Sequence, residues 1–332
     1  MKILSGDIGG THSRLALCEV EGAVVRRDIQ ANYESRRYES LATIARAFIS
    51  EHHIEVHHAC FGVPGPVQGR EARVTNLPWK VDADDLEREL GIDSIYLLND
   101  LEACAHGLAT LSEVDFRELR AGDPGAVGNA GLLAAGTGLG EAGLFWDGQR
   151  HRPFACEGGH TDFAPADDDE IELLRFLQAR VGDHVSWERV VSGPGLVSLY
   201  EFLKDRDPGA ESKALAEAIA EGDPAEQISK AALRGDESLA VRAVHWFLGL
   251  YGAEAGNVAL KYLATGGIYL GGGIAPKLAK LLPESDFVRR FEDKGRMRAL
   301  LERMSLSIVM NDKAALQGAA SYAARRARGD HG

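Results

Sequence analysis

The sequence predicts an α/β protein of two hinged, closely packed lobes, and three observations lead to that reading. Apolar runs of strand length end in glycine turns and alternate with helical patterns. A strand–glycine-turn–strand unit occurs twice, at the start of the chain and again from Gly131, which suggests an internal duplication. No low-complexity linker divides the halves. At 332 residues, 45% hydrophobic and 26% charged, the chain has room for about two domains and material for their cores.

Taken in order, Lys2 to Asp7 is a short strand and Ser13 to Val20 a second, so Asp7-Ile8-Gly9-Gly10-Thr11-His12 forms a hairpin tip. A helix follows over about Leu41 to His53, then a strand through Ala59 to Val63 that Pro64-Gly65-Pro66 stops. Asp82 to Leu90 reads as a helix with acidic residues early, where the helix dipole favours them. The apolar run Ser94 to Leu98 delivers Asn99-Asp100 to a strand's carboxyl end, and a helix begins near Leu101. In the second half, Gly131 to Ala135 and Ala142 to Trp146 are strands around the turn Gly136-Thr137-Gly138-Leu139-Gly140. Helices dominate from Asp168 to Ala264. A strand at Gly267 to Leu270 runs into Gly271-Gly272-Gly273, and a helix covers about Ala314 to Arg326.

Charge and cysteine usage narrow the function classes. A net charge of -13 argues against nucleic acid or an anionic membrane as partner. Cys18, Cys60, Cys104 and Cys156 form no CxxC pair, so they read as reduced, mostly buried thiols. The opening MKILSGDIGG enters a strand at once and has no secretory pattern. The longest apolar stretch, Val241 to Ala264, carries Arg242, His245, Glu254, Asn257 and Lys261 and reads as a buried globular helix. The expected compartment is the cytoplasm.

The glycine turns suggest phosphate binding. A triphosphate needs several N–H donors converging on its oxygens, and glycine lets the backbone approach. Asp7, Gly9, Gly10 and Thr11 offer such a turn, with a hydroxyl and a carboxylate for hydrated Mg²⁺; Gly136, Thr137 and Gly138 offer another. Either turn alone also suits an ordinary hairpin. Gly138 to Gly143 satisfies the GxGxxG spacing of dinucleotide sites, but a strand follows it where that motif needs a helix, and no GxxxxGK[ST] loop exists.

Eight motifs in order carry a family resemblance: DIGGTH at 7–12, TNLPW at 75–79, LLNDLEA at 97–103, AAGTGLG at 134–140, EGGHTDFAP at 157–165, ERVVSGPGL at 188–196, GGIYLGGGIAP at 266–276 and FEDKGR at 291–296. The chain resembles the bacterial glucokinase family, within the sugar kinase/Hsp70/actin superfamily. That resemblance implies a two-lobed actin-like ATPase (ribonuclease H-like) fold with the active site in the interlobe cleft. It also implies a small α/β domain of 1–109 plus 313–332 and a large one of 110–312. The implied reaction is ATP-dependent phosphorylation of D-glucose to glucose 6-phosphate, a glycolytic step, with Mg²⁺. Asp7-Ile8-Gly9-Gly10-Thr11 would be the first phosphate loop, Gly136-Thr137-Gly138 the second, and Gly271, Gly272 and Gly273 the loop beside the adenosine. Sugar hydroxyls would be held by Asn99, Asp100, Glu157, His160 and Glu188, with Asp100 as catalytic base. A homodimer is expected from the family alone.

The residue chemistry agrees. Phosphoryl transfer asks for positioning, charge neutralisation and one base near the attacking hydroxyl. A ring of vicinal hydroxyls suits carboxylates and amides, and an epimer would leave such buried groups unpaired. Two positions depart from the family pattern. His12 replaces the usual Asn after DIGGT, and Glu141 stands where a small apolar residue is common. A carboxylate near ATP phosphates would repel them, so Glu141 is expected to point away along its strand.

Other conspicuous residues have plainer readings. His52, His53, His57 and His58 straddle a helix end and a strand start, so a solvated surface is favoured over a metal site. Asp167-Asp168-Asp169-Glu170 opens a helix, and His245 reads as a core histidine. The zinc-binding cysteines of the related repressor–kinase group are absent, so no structural zinc is expected. Three alternatives stay open: another hexose or polyphosphate as substrate, a sugar-responsive repressor, or an actin-like ATPase. The second would need a helix-turn-helix ahead of Asp7, and the third would leave Glu157 and His160 without a role.

Overall fold

Alternation along the first two strands decides how the first part of the chain is layered. In β1 (Lys2–Ile8) Leu4 and Ile8 bury against one face, whereas Ile3 buries against the other. In β2 (His12–Glu21) Leu15 and Leu17 join the first face and Ala16, Cys18 and Val20 the second. Side chains on a strand alternate sides, so apolar residues in succession demand cover on both. The computed structural model describes residues 1–22, 24–75 and 77–330; Asn76 of the TNLPW motif lies outside them. The chain divides into two units: Met1–Asp115 with His151–Ala155 and Asn311–Gly332, and Phe116–Arg150 with Cys156–Met310.

In the first unit the main sheet has the order β3-β2-β1-β4-β8, with β3 (Val24–Glu34), β4 (His58–Val63) and β8 (Ser94–Asn99). β1, β2 and β3 are antiparallel, and β4 and β8 lie parallel to β1. A small sheet, β5 (Val67–Gln68), β6 (Glu71–Arg73) and β7 (Lys80–Asp82), lies between β4 and β8 in the chain. One face packs on α1 (Leu41–His52) and α2 (Ala83–Leu90), through residues such as Phe48, Ile44 and Leu86. Ser40 caps α1 by accepting from the Thr43 amide, and Asp82 caps α2 by accepting from Asp84 and Asp85.

The other face packs on α3 (Asp100–Leu108) and α12 (Ala314–Ala327), whose Ala319, Ala320, Ala323 and Ala324 bring the helix close to the sheet. A Cβ on Gly318 would lie 1.8 Å from the Ala103 carbonyl, and one on Gly107 would lie 2.0 Å from the Ala314 carbonyl. Only glycine allows α3 and α12 to touch backbone to backbone.

The second unit repeats the arrangement of a hairpin followed by parallel strands. Five strands of its sheet run β11-β10-β13-β14-β9, from β9 (Phe116–Arg120), β10 (Ala130–Ala135), β11 (Leu139–Trp146), β13 (Ile268–Gly271) and β14 (Leu306–Val309). β10 and β11 form the antiparallel hairpin, and β10, β13 and β14 are parallel. The strand β12 (His151–Cys156) follows β11 in the chain.

Helices α4 (Asp168–Val181), α5 (Gly193–Arg206), α6 (Lys213–Glu221), α7 (Pro224–Arg234), α8 (Ser238–Tyr262), α9 (Ile274–Lys277), α10 (Phe287–Glu292) and α11 (Arg298–Leu301) complete this unit. The acidic run opening α4 behaves as its residue types predict: Asp167 caps the helix by accepting from the Glu170 amide at 2.9 Å. α8 is the buried axis of the core, and Tyr251 hydrogen-bonds the Leu133 carbonyl at 3.1 Å. No helix among the described residues is long and apolar enough to cross a membrane. His245, expected in the core, is only half-buried and lines a surface cavity of about 710 Å³ with Trp246 and Arg242, because α8 turns this side outward.

Candidate active site

In the first unit the candidate residues gather at the carboxyl ends of parallel strands. Asp7 of β1 is level with Gly62 of β4, and Gly62 with Leu98 of β8. Strands are about 4.8 Å apart, so Asp7 and the Leu98 position are separated by about 10 Å, with Asn99 and Asp100 just beyond. Open α/β sheets collect ligands along this edge.

The first glycine turn is held in a single shape. Gly9 donates its N–H to the His12 carbonyl at 3.0 Å, and a Cβ there would fall 2.6 Å from that oxygen. Ser35 clamps the turn from the side: its hydroxyl donates to the Gly9 carbonyl at 2.6 Å and its N–H to the Thr11 carbonyl at 2.9 Å. The Ser13 hydroxyl lies 2.9 Å from that of Ser35. Burial raises the proton affinity of Asp7, against the pull of the Arg14 guanidinium 3.9 Å away, while Asp312 adds to the rise. A cation beside Asp7 would favour its carboxylate instead.

Asn99 is the N-cap of α3. Its Oδ1 accepts from the amides of Leu101 (2.9 Å) and Glu102 (3.3 Å), and its Nδ2 donates to the Gly65 carbonyl at 3.1 Å. One amide hydrogen is left for another acceptor. Asp100 is the first residue of α3, where its Oδ1 accepts from the Leu101 amide at 2.9 Å and the helix dipole favours the anion. Gly62 lets α3 come this close, since a Cβ there would meet that of Ala103 at 2.9 Å. One turn further, burial together with the charges of Asp7 and Asp100 pushes the Cys104 thiol up to about 12. Cys104 is therefore no nucleophile at neutral pH, and its thiol feels both carboxylates.

In the second unit the two later glycine turns are neighbours. Gly271 of β13 is level with Ala134 of β10, so the Gly136–Gly138 and Gly271–Gly273 turns leave adjacent parallel strands at the same end. Gly272 has φ +76°, and a Cβ there would lie 2.4 Å from the Ala135 carbonyl. Gly136 donates to the Gly138 carbonyl at 2.8 Å and accepts from Gly193, the first residue of α5, at 2.7 Å. At Gly136 and at Gly273 nothing lies within 4 Å of where a Cβ would stand, so each turn has one position at which a ligand could approach the backbone.

The three sugar candidates of this unit converge on the start of β11. Glu188 Oε2 accepts from the Leu139 amide at 3.1 Å. Glu157 precedes a short 3₁₀ turn, Gly158–His160, and its side chain and that of His160, the last residue of the turn, approach to 3.9 Å. That turn packs on β11 through Gly159, where a Cβ would be 2.0 Å from the Leu139 carbonyl. Thr161 next to it accepts from the Trp187 amide at 3.0 Å, one residue before Glu188. Ser192 joins the set: its hydroxyl donates to the Glu188 carbonyl at 2.7 Å and accepts from the Gly195 amide at 3.1 Å.

Sequence reasoning misses Ser35 and Ser192 as supports. Ser192 sits in the SGPGL motif before a helix, which is an N-cap signal; Ser35 lies far from the turn it holds and leaves no local trace. Glu141, expected to point away from the phosphates along its strand, is turned into the protein and only 1% exposed.

A family model for glucokinases matches residues 4–326. The chain belongs to the glucokinase family. The glucokinase of Nostoc punctiforme is 40% identical over 337 residues, covering 97% of this chain and 99% of its own length. That of Chromobacterium violaceum is 38% identical over 322 residues, covering 97% and 89%. Among solved structures, a glucokinase from an Antarctic psychrotroph has a TM-score of 0.83 at 30% identity, over 98% of this chain and 99% of that one. A Balamuthia mandrillaris glucokinase in complex with glucose has a TM-score of 0.80 at 23% identity, over 98% and 93%, a likeness of fold. As in other members of the glucokinase family, the fold is a mixed α/β one of the actin-like ATPase kind.

Proposed function

We propose that the chain is an ATP-dependent glucokinase that phosphorylates D-glucose on its 6-hydroxyl, with Asp100 as general base. The observation that carries this reading is the position of Asp100. It follows directly on a parallel strand, begins a helix, and is steered by the Leu101 amide on the edge that also bears Asp7 and the first glycine turn. Family membership over residues 4–326 supports the reaction class and ATP as donor.

Asp100 would accept the proton of the attacking 6-hydroxyl through one hydrogen bond as that oxygen bonds the γ-phosphorus, while the bond from the γ-phosphorus to the bridging oxygen breaks and ADP leaves with its electron pair. Glu157, His160 and Glu188 would accept or donate to the remaining hydroxyls, with Asn99 adding its spare amide hydrogen. Gly9, Gly10, Thr11, Gly136, Thr137, Gly138, Gly271, Gly272 and Gly273 would cradle the nucleotide by backbone contact. Asp7 would hold hydrated Mg²⁺, which neutralises phosphate charge when bound. By family likeness the protein is a cytoplasmic homodimer, a state that light scattering on the purified protein tests.

A coupled assay across hexoses and phosphoryl donors tests the reading. Glucose with ATP is expected to exceed fructose, mannose and polyphosphate by a wide margin. Equal turnover of fructose overturns glucose specificity, and activity with polyphosphate alone overturns the donor.

A further inference from the structure

A buried acidic pair lies directly beneath the Gly158–His160 turn. Glu141 of β11 and Glu254 of α8 are 1% and 0% exposed. Glu254 is well supplied with donors: Asn257 Nδ2 reaches it at 2.7 Å and Lys261 Nζ at 3.1 Å. No donor among the described residues reaches either carboxyl oxygen of Glu141, and what faces them is the carboxyl of Glu254. Two carboxyl groups pair only when one keeps its proton. Glu254, already paired with the Lys261 ammonium, is the anion; Glu141 keeps the proton.

The neutral carboxyl meets the candidate sugar site at Gly158. A Cβ on Gly158 would lie 1.9 Å from Glu141 Oε2 and 3.5 Å from Cys156 Sγ, so the carboxyl lies against the backbone between Glu157 and His160. Cys156 strengthens this floor, with its thiol 3.4 Å from the Glu141 carbonyl and 2.8 Å from the Tyr262 hydroxyl. We propose that Glu141 is a positioning residue for the Glu157–His160 turn, acting through a proton shared with Glu254. The inference rests on the reading that Glu157 and His160 hold the sugar.

The titratable groups around this proton are few. Glu254, Lys261, Tyr251 and Tyr262 face it from α8, and Cys156 faces it from β12. Lys294, which donates to the Ala253 carbonyl at 2.9 Å, acts on Glu254 from beyond α8. Burial and the Glu254 charge raise Glu141 to about 8, with Lys261 opposing them. Loss of the proton puts two carboxylates face to face beneath Gly158, and the turn must move to separate or hydrate them.

The test is the pH profile of the Michaelis constants of wild type and Glu141→Gln. If only the protonated form presents the turn, the KM for glucose rises about tenfold between about pH 7 and about pH 9, while the KM for ATP stays level. The E141Q side chain keeps a neutral donor toward Glu254, so this variant is expected to lose the alkaline rise. Glu254→Gln provides a second arm: without that anion the proton of Glu141 leaves more easily, and the rise begins at lower pH. A protonated-carboxyl infrared band that titrates near the same pH and is missing from E141Q gives a readout free of turnover. An unchanged profile in both variants, or no such band, overturns the proposal. Glu157→Gln with an unaltered glucose KM overturns the sugar-site reading instead.

Discussion

Glu188 Oε2 accepts a hydrogen bond from the Leu139 amide at 3.1 Å, which makes a candidate sugar ligand and the second glycine turn one bonded unit. A Cβ on Gly138 would lie 2.4 Å from that same oxygen. Gly138→Ala is therefore expected to displace Glu188 and to raise the KM for glucose as well as that for ATP. Steady-state kinetics with each substrate varied in turn measures this; an effect on ATP alone would separate Glu188 from the sugar.

Asp100→Ala is expected to lower kcat by roughly 10²–10⁴, the range for losing a general base. Stability should change by less than about 1 kcal/mol, because the cap of α3 belongs to Asn99. Turnover and thermal unfolding of the same preparation check the pair of outcomes. Near-normal kcat would remove Asp100 from the proton transfer.

Asn99→Ala should cost about 1–2 kcal/mol through the lost cap, with the Gly65 tether lost as well. Asn99→Asp keeps the acceptor and should cost less. Urea unfolding of both variants ranks them, and equal losses would assign the cost to the tether.

Gly318→Ala forces a methyl group onto the Ala103 carbonyl, a backbone atom that no rotamer change can move aside. A loss of about 2 kcal/mol or more is expected, with a fall in kcat because α3 carries Asp100. Chemical denaturation and kinetics on the variant test both effects, and a loss of stability at full kcat would uncouple the helix packing from the base.

The pH dependence of stability follows from Glu141. Its folded-state pKa of about 8 lies above the ordinary 4.5, so between those values the folded protein holds a proton the unfolded chain has released. Stability from this group is present at acid pH and declines as pH rises toward 8. Relative to wild type, E141Q should gain stability over that interval and level off above it. Denaturant midpoints at several pH values read this directly.

The strands and glycine turns are readable in the residues because each has a local cause. Gly9, Gly138 and Gly272 stand where backbone or carboxylate atoms exclude a Cβ, and Asn99 sits where a cap must. β3 escapes notice because it is an edge strand whose inward set, Val25, Ile29, Ala31 and Tyr33, is interrupted by Arg27 and only partly covered. β14 has four residues, too few for a period to emerge. The inward turn of Glu141 depends on Glu254, far along the chain on α8, and no local pattern announces such a partner.

The backbone contact between α3 and α12 also bears on synthesis. All of Phe116–Arg150 and Cys156–Met310 emerge from the ribosome before α12 does. Until then the face of the β1, β4 and β8 sheet that α12 covers has only α3 upon it, and its remaining apolar surface is one on which a nascent chain would recruit a chaperone. The unit that starts first is thus the one that finishes last, and its neighbour can mature while it waits.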